Sequence, residues 1–409
     1  MPVEIRNVRE DELHAFIDAM STAFLFRPDV ARIADDVRSV WDLSRVWAGF
    51  DGDRVRGTLR TWPTELTLPG RARVPGSALT NVTVLPTHRR QGIMRGMLMA
   101  SHAAARERGD VVGLLYAAEY PIYGRFGYGP ACRTATWTVD ALATSFHGRE
   151  AAGVDFAPAN EATREVIKGV FEAWRATQPG EVRRRDFGWD FDLGIREDGW
   201  DARWKGFVLI RRDGAGDADG YVRYRTEDKW ERNQPRNIVK VDELVAVTDE
   251  AYDALSRFLV EMDWVATIVA ERRNPVERLP WLLTNGRAAR VSDEADGMWV
   301  RLFDVARALE ARTYEREGSV VLDVVDAEAP GGRTRLQLDA GGGAATCRPS
   351  TRSADLTLDV AALGAAYLGG VSLRDAVAAT GADEHRPGAL REMDALLRTL
   401  DAPWCATFF

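Results

Sequence analysis

Asn81-Val82-Thr83-Val84-Leu85-Pro86-Thr87-His88-Arg89-Arg90-Gln91-Gly92-Ile93-Met94-Arg95-Gly96 places a strand, a proline that ends it, a basic turn and a helix start in immediate succession. The N–H groups of a helix's first turn lack internal acceptors and sit at the positive end of its dipole, so such a turn suits a pyrophosphate. Arg89, Arg90 and Arg95 add formal charge to it. Downstream, Ile93, Met97, Leu98, Ala100 and Ala104 recur at helical spacing to about Arg108. Val111 to Ala117 is then a short apolar run, which predicts a buried strand paired in parallel. Upstream, a strand at Val3 to Val8 leads into an amphipathic helix from Asp11, its expected N-cap, to about Phe24. Strand-like runs at Val46 to Phe50, Val55 to Thr61, Glu65 to Leu68 and Ala78 to Leu85 follow, punctuated by Asp51-Gly52 and Pro69-Gly70, and read as an antiparallel meander. Residues 1–147 therefore read as one α+β unit with a strand, helix, strand core.

A polar stretch from His147 to Ala159 reads as a linker, after which the order roughly repeats over 148–290. A helix at Glu161 to Thr177 precedes strands at Phe207 to Arg211, Tyr221 to Tyr224 and Ile238 to Val247, a helix at Glu250 to Met262 and a strand at Trp264 to Val269. No glycine-rich turn joins Val247 to that second helix, as expected of a copy that has lost its ligand turn. Residues 291–409 form a third unit, with strands at Val320 to Val325 and Thr334 to Leu338, later helices, and the apolar ending Ala402-Pro403-Trp404-Cys405-Ala406-Thr407-Phe408-Phe409.

A chain of 409 residues accommodates these units, and 45% hydrophobic with 28% charged residues is a globular composition. The net charge of −8 argues against nucleic acid or an anionic membrane as the main partner. Three widely spaced cysteines build neither a disulfide framework nor a metal knuckle, and the five histidines have no metal-ligand spacing, so no metal is expected. No secretory leader or apolar run of membrane-spanning length is legible, which leads to the expectation of a soluble, cytoplasmic protein. Nucleotide-binding alternatives fail: no Gly-x-x-x-x-Gly-Lys occurs, and Gly124-Arg125-Phe126-Gly127-Tyr128-Gly129 has the wrong glycine order for a dinucleotide turn. His88 and His102 lack a nucleophile partner and read as structural or phosphate-facing.

The run from Val84 to Arg95, with Ala117-Ala118-Glu119 and Ile122-Tyr123-Gly124-Arg125-Phe126-Gly127-Tyr128-Gly129-Pro130-Ala131, resembles the Eis (enhanced intracellular survival) family of GNAT-superfamily N-acetyltransferases. Met94 departs from the usual Gly or Ala of the superfamily's pyrophosphate motif. The resemblance implies two GNAT acetyltransferase-like domains followed by a sterol-carrier-protein-like domain, an α+β and α/β architecture in which only the first domain binds acetyl-CoA. By position, Val82, Thr83 and Val84 would bond the pantetheine. Arg89, Arg90, Gln91, Gly92, Ile93, Met94 and Arg95 would hold the pyrophosphate, and Ala118 and Glu119 would line the far side. Tyr123 would be the general acid and the terminal carboxylate of Phe409 the general base. Direct transfer to a primary amine of a cationic, aminoglycoside-like small molecule and a homohexameric assembly are further implications.

The chemistry of those roles is sound on its own terms. A phenol titrating near about 10 can reprotonate a departing thiolate whose acid titrates near about 8.5. Tyr128 is the nearest competitor to Tyr123. An α-carboxylate is a feeble base in water, but a tail this apolar is expected to pack inward and carry its terminal charge with it. Phe24, Trp41 and Phe408 are candidate substrate-wall residues; Phe24, Leu25 and Phe26 carry no acid and Phe408 stands where the resemblance implies an acidic residue in aminoglycoside-modifying relatives, so a less anionic, more apolar pocket is expected. Lysine acetylation of a protein, and a lipid carrier with vestigial transferase domains, are the alternatives.

Overall fold

Strand β1 (Glu4–Asn7) opens a sheet that continues antiparallel through β2 (Val46–Asp51), β3 (Arg54–Thr67) and β4 (Arg73–Val84). The computed structural model from which this is drawn describes residues 3–148, 152–197 and 202–409; the middle of the expected linker, residues 149–151, lies outside them. Helices α1 (Leu13–Ala23) and α2 (Val30–Arg38) separate β1 from β2, and α3 (Ile93–Glu107) joins β4 to β5 (Val112–Tyr116), which pairs with β4 in parallel as the apolar run predicts. Leu13, Phe16, Ile17 and Met20 of α1 and Ile93, Met97 and Leu98 of α3 are the buried helical stripes.

Three local expectations need correction. Asp11 does not cap α1: residues Glu10–Glu12 form a short 3₁₀ turn, and Glu12 sits at the N-cap, drawn into ion pairs with Arg6 (2.7 Å) and Arg9 (2.6 Å). The runs at 55–61 and 65–68 are one strand, β3, which tolerates Pro63 because its pairing with β2 ends at Arg60 and the backbone bonds from residues 180–183 begin only at Glu65, leaving no ladder bond to lose between them. Helix α2 lies where no element was expected.

The sheets also exchange strands. Arg133–Asp140, expected in the first unit, pairs instead with Val265–Arg273 in the second seven-stranded sheet. Met298–Leu302, expected in the third, returns to the first and pairs antiparallel with β5. An open edge on β5 would leave its backbone groups unpaired, and the fully buried Met298–Leu302 closes it. Sequence boundaries at 147 and 290 therefore divide the chain but not its sheets. The third unit carries a five-stranded sheet around Gly318–Val325 and helices including Val360–Ala366 and Ala389–Leu397. One apolar core runs from Leu66 and Leu114 through Met298 and Leu322 to Cys405.

Candidate active site

In β4 one residue is inserted: Thr58 faces Thr83 while Arg60 faces Thr80, and Asn81 takes up the excess at φ +55°. Asparagine tolerates this left-handed conformation better than most residues. The bulge is held by Arg60 Nε donating to Asn81 Oδ1 (3.0 Å) and Thr58 Oγ1 donating to the Asn81 carbonyl (2.9 Å). Upstream, β4 and β5 pair only from Gly76 to Ala78 against Val112 to Leu114. Beyond that they splay, leaving Val82 to Val84 without a β5 partner at the mouth of a V.

The basic turn closes the V from below. Arg90 has φ +64° and Gly92, the N-cap of α3, φ +81°, so successive N–H groups converge on one concavity. A Cβ on Gly92 would meet no atom within 4 Å, so glycine is needed for its backbone conformation and not for space within the protein. The cleft of about 510 Å³ above this turn is lined by Val82, Thr83, Val84, Arg89, Arg90, Gly92, Ile93, Met94, Arg95, Ala118, Glu119 and Tyr123, all singled out from the sequence, and by Phe24. Gln91 does not line it, whereas His88, Ile122, Arg125 and Phe126, not singled out as cleft-lining, do. In the second unit, Thr248 caps the corresponding helix itself, accepting from the Ala251 N–H, and Asp249 and Glu250 fill its first turn. That end has an acceptor and negative charge of its own and is ill suited to a phosphate.

Tyr123 is 7% exposed. Burial first, and then the Glu119 carboxylate, pushes its hydroxyl up to about 12, so the phenol stays protonated at neutral pH. Tyr128 is 1% exposed and is bonded to His102 Nε2 (3.0 Å), whose Nδ1 lies 2.9 Å from Glu328. It does not line the cleft. Geometry thus separates the two tyrosines, and His102 is a structural link between α3 and the third unit.

The tail packs inward. Trp404 Nε1 donates to the Arg272 carbonyl (3.1 Å) and its ring meets Trp174 edge-on; Ala406 N–H donates to the buried Glu181 (2.7 Å); Arg184 Nε donates to Thr407 Oγ1 (2.8 Å). Tyr116 Oη, at the end of β5, donates to the Thr407 carbonyl (2.8 Å). Phe409 then rests edge-on against Trp62 of β3 and Tyr116, at centroid distances of 5.3 and 5.2 Å. Phe409 thereby lines a recess with Trp62 and Arg185, and not the cleft above the basic turn. Phe408 is 65% exposed, packed on Tyr116 on one side. Arg184 is anchored by an ion pair with Glu243, which also accepts from Tyr221 Oη (2.7 Å). Burial opposes the Glu243 charge, but Arg184 and Arg223 outweigh it and hold the carboxyl at about 2.

Trp41 lies away from the cleft, stacked under Arg60 (4.4 Å) in a recess with Asn81 and Arg185. Glu181, Arg184 and Tyr116, which seat the tail, were not recognised from the sequence. The run Glu181-Val182-Arg183-Arg184-Arg185 is a signal for some of them, but nothing in it names the tail as partner. Among the described residues no group of three or more His, Cys, Asp or Glu could hold a metal, and no helix is long and apolar enough to cross a membrane.

Comparison with known proteins agrees with this geometry. Residues 4–131 match an acetyltransferase (GNAT) domain, 180–302 a second acetyltransferase (GNAT) domain, and 305–406 a sterol carrier protein domain. The chain is 40% identical over 415 residues to an uncharacterized N-acetyltransferase of Streptomyces avermitilis, covering 100% of this chain and 99% of that one. It is 34% identical over 365 residues to the N-acetyltransferase Eis of Mycobacterium tuberculosis, covering 87% of this chain and 84% of the relative. The crystal structure of Eis1 from Mycobacterium abscessus superposes with a TM-score of 0.87 at 33% identity, covering 99% and 100% of the two chains. A GCN5-related N-acetyltransferase from Anabaena variabilis shares the fold, with a TM-score of 0.83 at 16% identity over the whole of both chains.

Proposed function

Since the chain belongs to the Eis family of GNAT N-acetyltransferases, we propose that it transfers the acetyl group of acetyl-CoA directly to a primary amine of a small molecule. The observation that carries this reading is the splay of β4 from β5 above the N–H groups of Arg90 to Ile93. Free strand edge at Val82 to Val84 suits the amides of a pantetheine arm. The turn and its arginines suit a diphosphate, with charge-assisted bonds from Arg89, Arg90 and Arg95. Gln91 stands outside the cleft lining.

In the transfer, the amine nitrogen forms its bond to the acetyl carbon as the bond from that carbon to sulfur breaks. Tyr123 Oη, protonated at neutral pH, donates the proton that the leaving sulfur takes up. The Phe409 carboxylate, which the tail's bonds to Tyr116, Glu181 and Arg184 hold in place, first takes one proton from the substrate ammonium and so frees the lone pair that attacks; the second proton, shed by the nitrogen as the amide forms, restores the Tyr123 hydroxyl. Holding the thioester and the amine side by side would allow direct transfer without a covalent enzyme intermediate. A cytoplasmic site of action and a homohexamer belong to the same proposal, resting on family likeness.

The test is twofold. Calorimetry should detect 1:1 binding of coenzyme A, and a thiol-release assay should show acetyl-CoA consumption with at least one amine in a panel of arylalkylamines, amino acids and aminoglycosides. No heat and no release would leave the third unit's carrier role as the surviving alternative.

A further inference from the structure

A chain of recesses leads from the bulge to the tail, and its charges run opposite to those a polycation needs. One of about 150 Å³ lies beside Asn81, walled by Trp41 and Phe187. It shares Arg60 and Arg185 with one of about 650 Å³, walled by Trp62, which shares Trp62 and Arg185 with the recess that reaches Phe409. Every side-chain carboxylate lining the three has an arginine or lysine partner, as Asp36 has Arg196 and Glu243 has Arg184. None is left to meet an acceptor's ammonium groups.

Two guanidinium groups are left over instead. Arg60 is 7% exposed, and among the described residues its contacts are the Asn81 amide and the face of Trp41; it forms no ion pair. Arg185 is half-buried between Trp62 (5.1 Å) and Phe187 (4.7 Å), again without an ion pair. Among the described residues Arg183 and Arg272 also form no ion pair, but both stand exposed, where water serves. Burying two like charges together without an anion is unfavourable. Burial, and then the Arg185 charge, pulls Arg60 well below the ordinary arginine range, and burial pulls Arg185 down to about 10 against the opposing charge of Asp192, which is itself paired with Arg184 and Arg223. The coenzyme does not explain them, because neither lines its cleft, which has arginines of its own.

We propose that the acceptor amine carries a carboxylate, which Arg60 and Arg185 bind, on an apolar body that lies against Trp41, Trp62 and Phe187. The substrate class is then an aromatic amino acid or aryl amino acid, not an aminoglycoside. This rests on the acetyltransferase reading and names its acceptor. The planar fork of arginine matches a carboxylate with two parallel bonds, and the aromatic walls both stack the guanidinium groups and receive the body. Trp62 touches Arg185 on one side and Phe409 on another, so the anion site and the proposed base share a wall.

Matched pairs test it: phenylalanine against 2-phenylethylamine, and 4-(aminomethyl)benzoate against benzylamine, with an aminoglycoside as the cationic arm. The wild type should favour the carboxylate member of a pair by about tenfold or more in kcat/KM, as a bond to a charged group supports. The preference should reside in KM and fall to about one in Arg185→Gln and Arg60→Gln. Phenylacetate, which has no amine to acetylate, should raise the Tm of the wild type and not of Arg185→Gln, whose unchanged coenzyme A binding certifies its fold. Faster turnover of the decarboxylated members or the aminoglycoside, with no Tm response to phenylacetate, would overturn the proposal while leaving the transferase intact. Absence of thiol release with every amine, together with no coenzyme A binding, would remove the transferase and this inference with it.

Discussion

At the residue scale, Tyr123 and two glycines separate chemistry from architecture. Tyr123→Phe removes one oxygen from a site that burial has already pushed up to about 12. It should lower kcat by about 10²–10⁴-fold while coenzyme A affinity, read by calorimetry, stays near that of the wild type. Retained turnover would take Tyr123 out of the mechanism. Because the phenol stays protonated well above pH 8, the alkaline limb of the rate profile should not fall between pH 8 and 10 on its account. Gly92 and Gly129 fail differently. A Cβ at Gly92 has open space but a φ of +81°, so Gly92→Ala should strain the turn by about 1–2 kcal/mol and weaken coenzyme A binding roughly tenfold. At Gly129 a Cβ would stand 2.1 Å from the Ala361 carbonyl, where helix Val360–Ala366 packs on the strand. Gly129→Ala should therefore lower the Tm and leave coenzyme A affinity near normal wherever the protein remains folded.

At the element scale, the tail has two parts with different duties. Trp404 is buried against Trp174 and tied to Arg272, so Trp404→Ala should destabilise by about 3–5 kcal/mol, visible as a lower denaturation midpoint. Phe409 packs on Trp62 and Tyr116, and in the proposed mechanism it supplies the carboxylate that takes a proton. Adding one glycine after Phe409 should shift the Tm by only a few degrees while cutting turnover at least a hundredfold; full activity in that variant would dismiss the terminal carboxylate as base. The helix after Val247 teaches the converse, since the same strand-to-helix order with Thr248 as its own cap leaves no free donors for a ligand.

At the scale of the whole molecule, buried carboxylates join units that the sequence keeps far apart. Glu328 meets His102 and Arg106 of α3 at 2.9 Å each and Arg301 at 3.2 Å, and Glu243 holds the arginine that seats the tail. Burial works against the Glu328 charge, but the His102 bond and the two arginines prevail and hold it at about 2, as Glu243 is held. A carboxyl so depressed from 4.5 stabilises the fold fully above that pH and loses its contribution as the pH falls towards about 2. Calorimetric scans should thus show a Tm nearly level from pH 7 to 5 and a steep decline below about 4.5, shallower in Glu328→Gln, which starts from a lower Tm.

The cleft proposed for the coenzyme was legible in the sequence because its parts are local: a strand, a proline, a basic turn and a helix start within Asn81 to Gly96 bring their own backbone geometry with them. Helical and strand periodicities likewise located most elements of all three units, since each reflects which face a segment buries. Only tertiary structure decided the rest. The exchange of Arg133–Asp140 and Met298–Leu302 between sheets follows from the need to cover open edges, a demand no single segment displays. The charge of the acceptor site was equally hidden, because whether an arginine is neutralised depends on where a carboxylate from elsewhere in the chain comes to lie. Arg184 found Glu243; among the described residues Arg60 and Arg185 have no ion-pair partner.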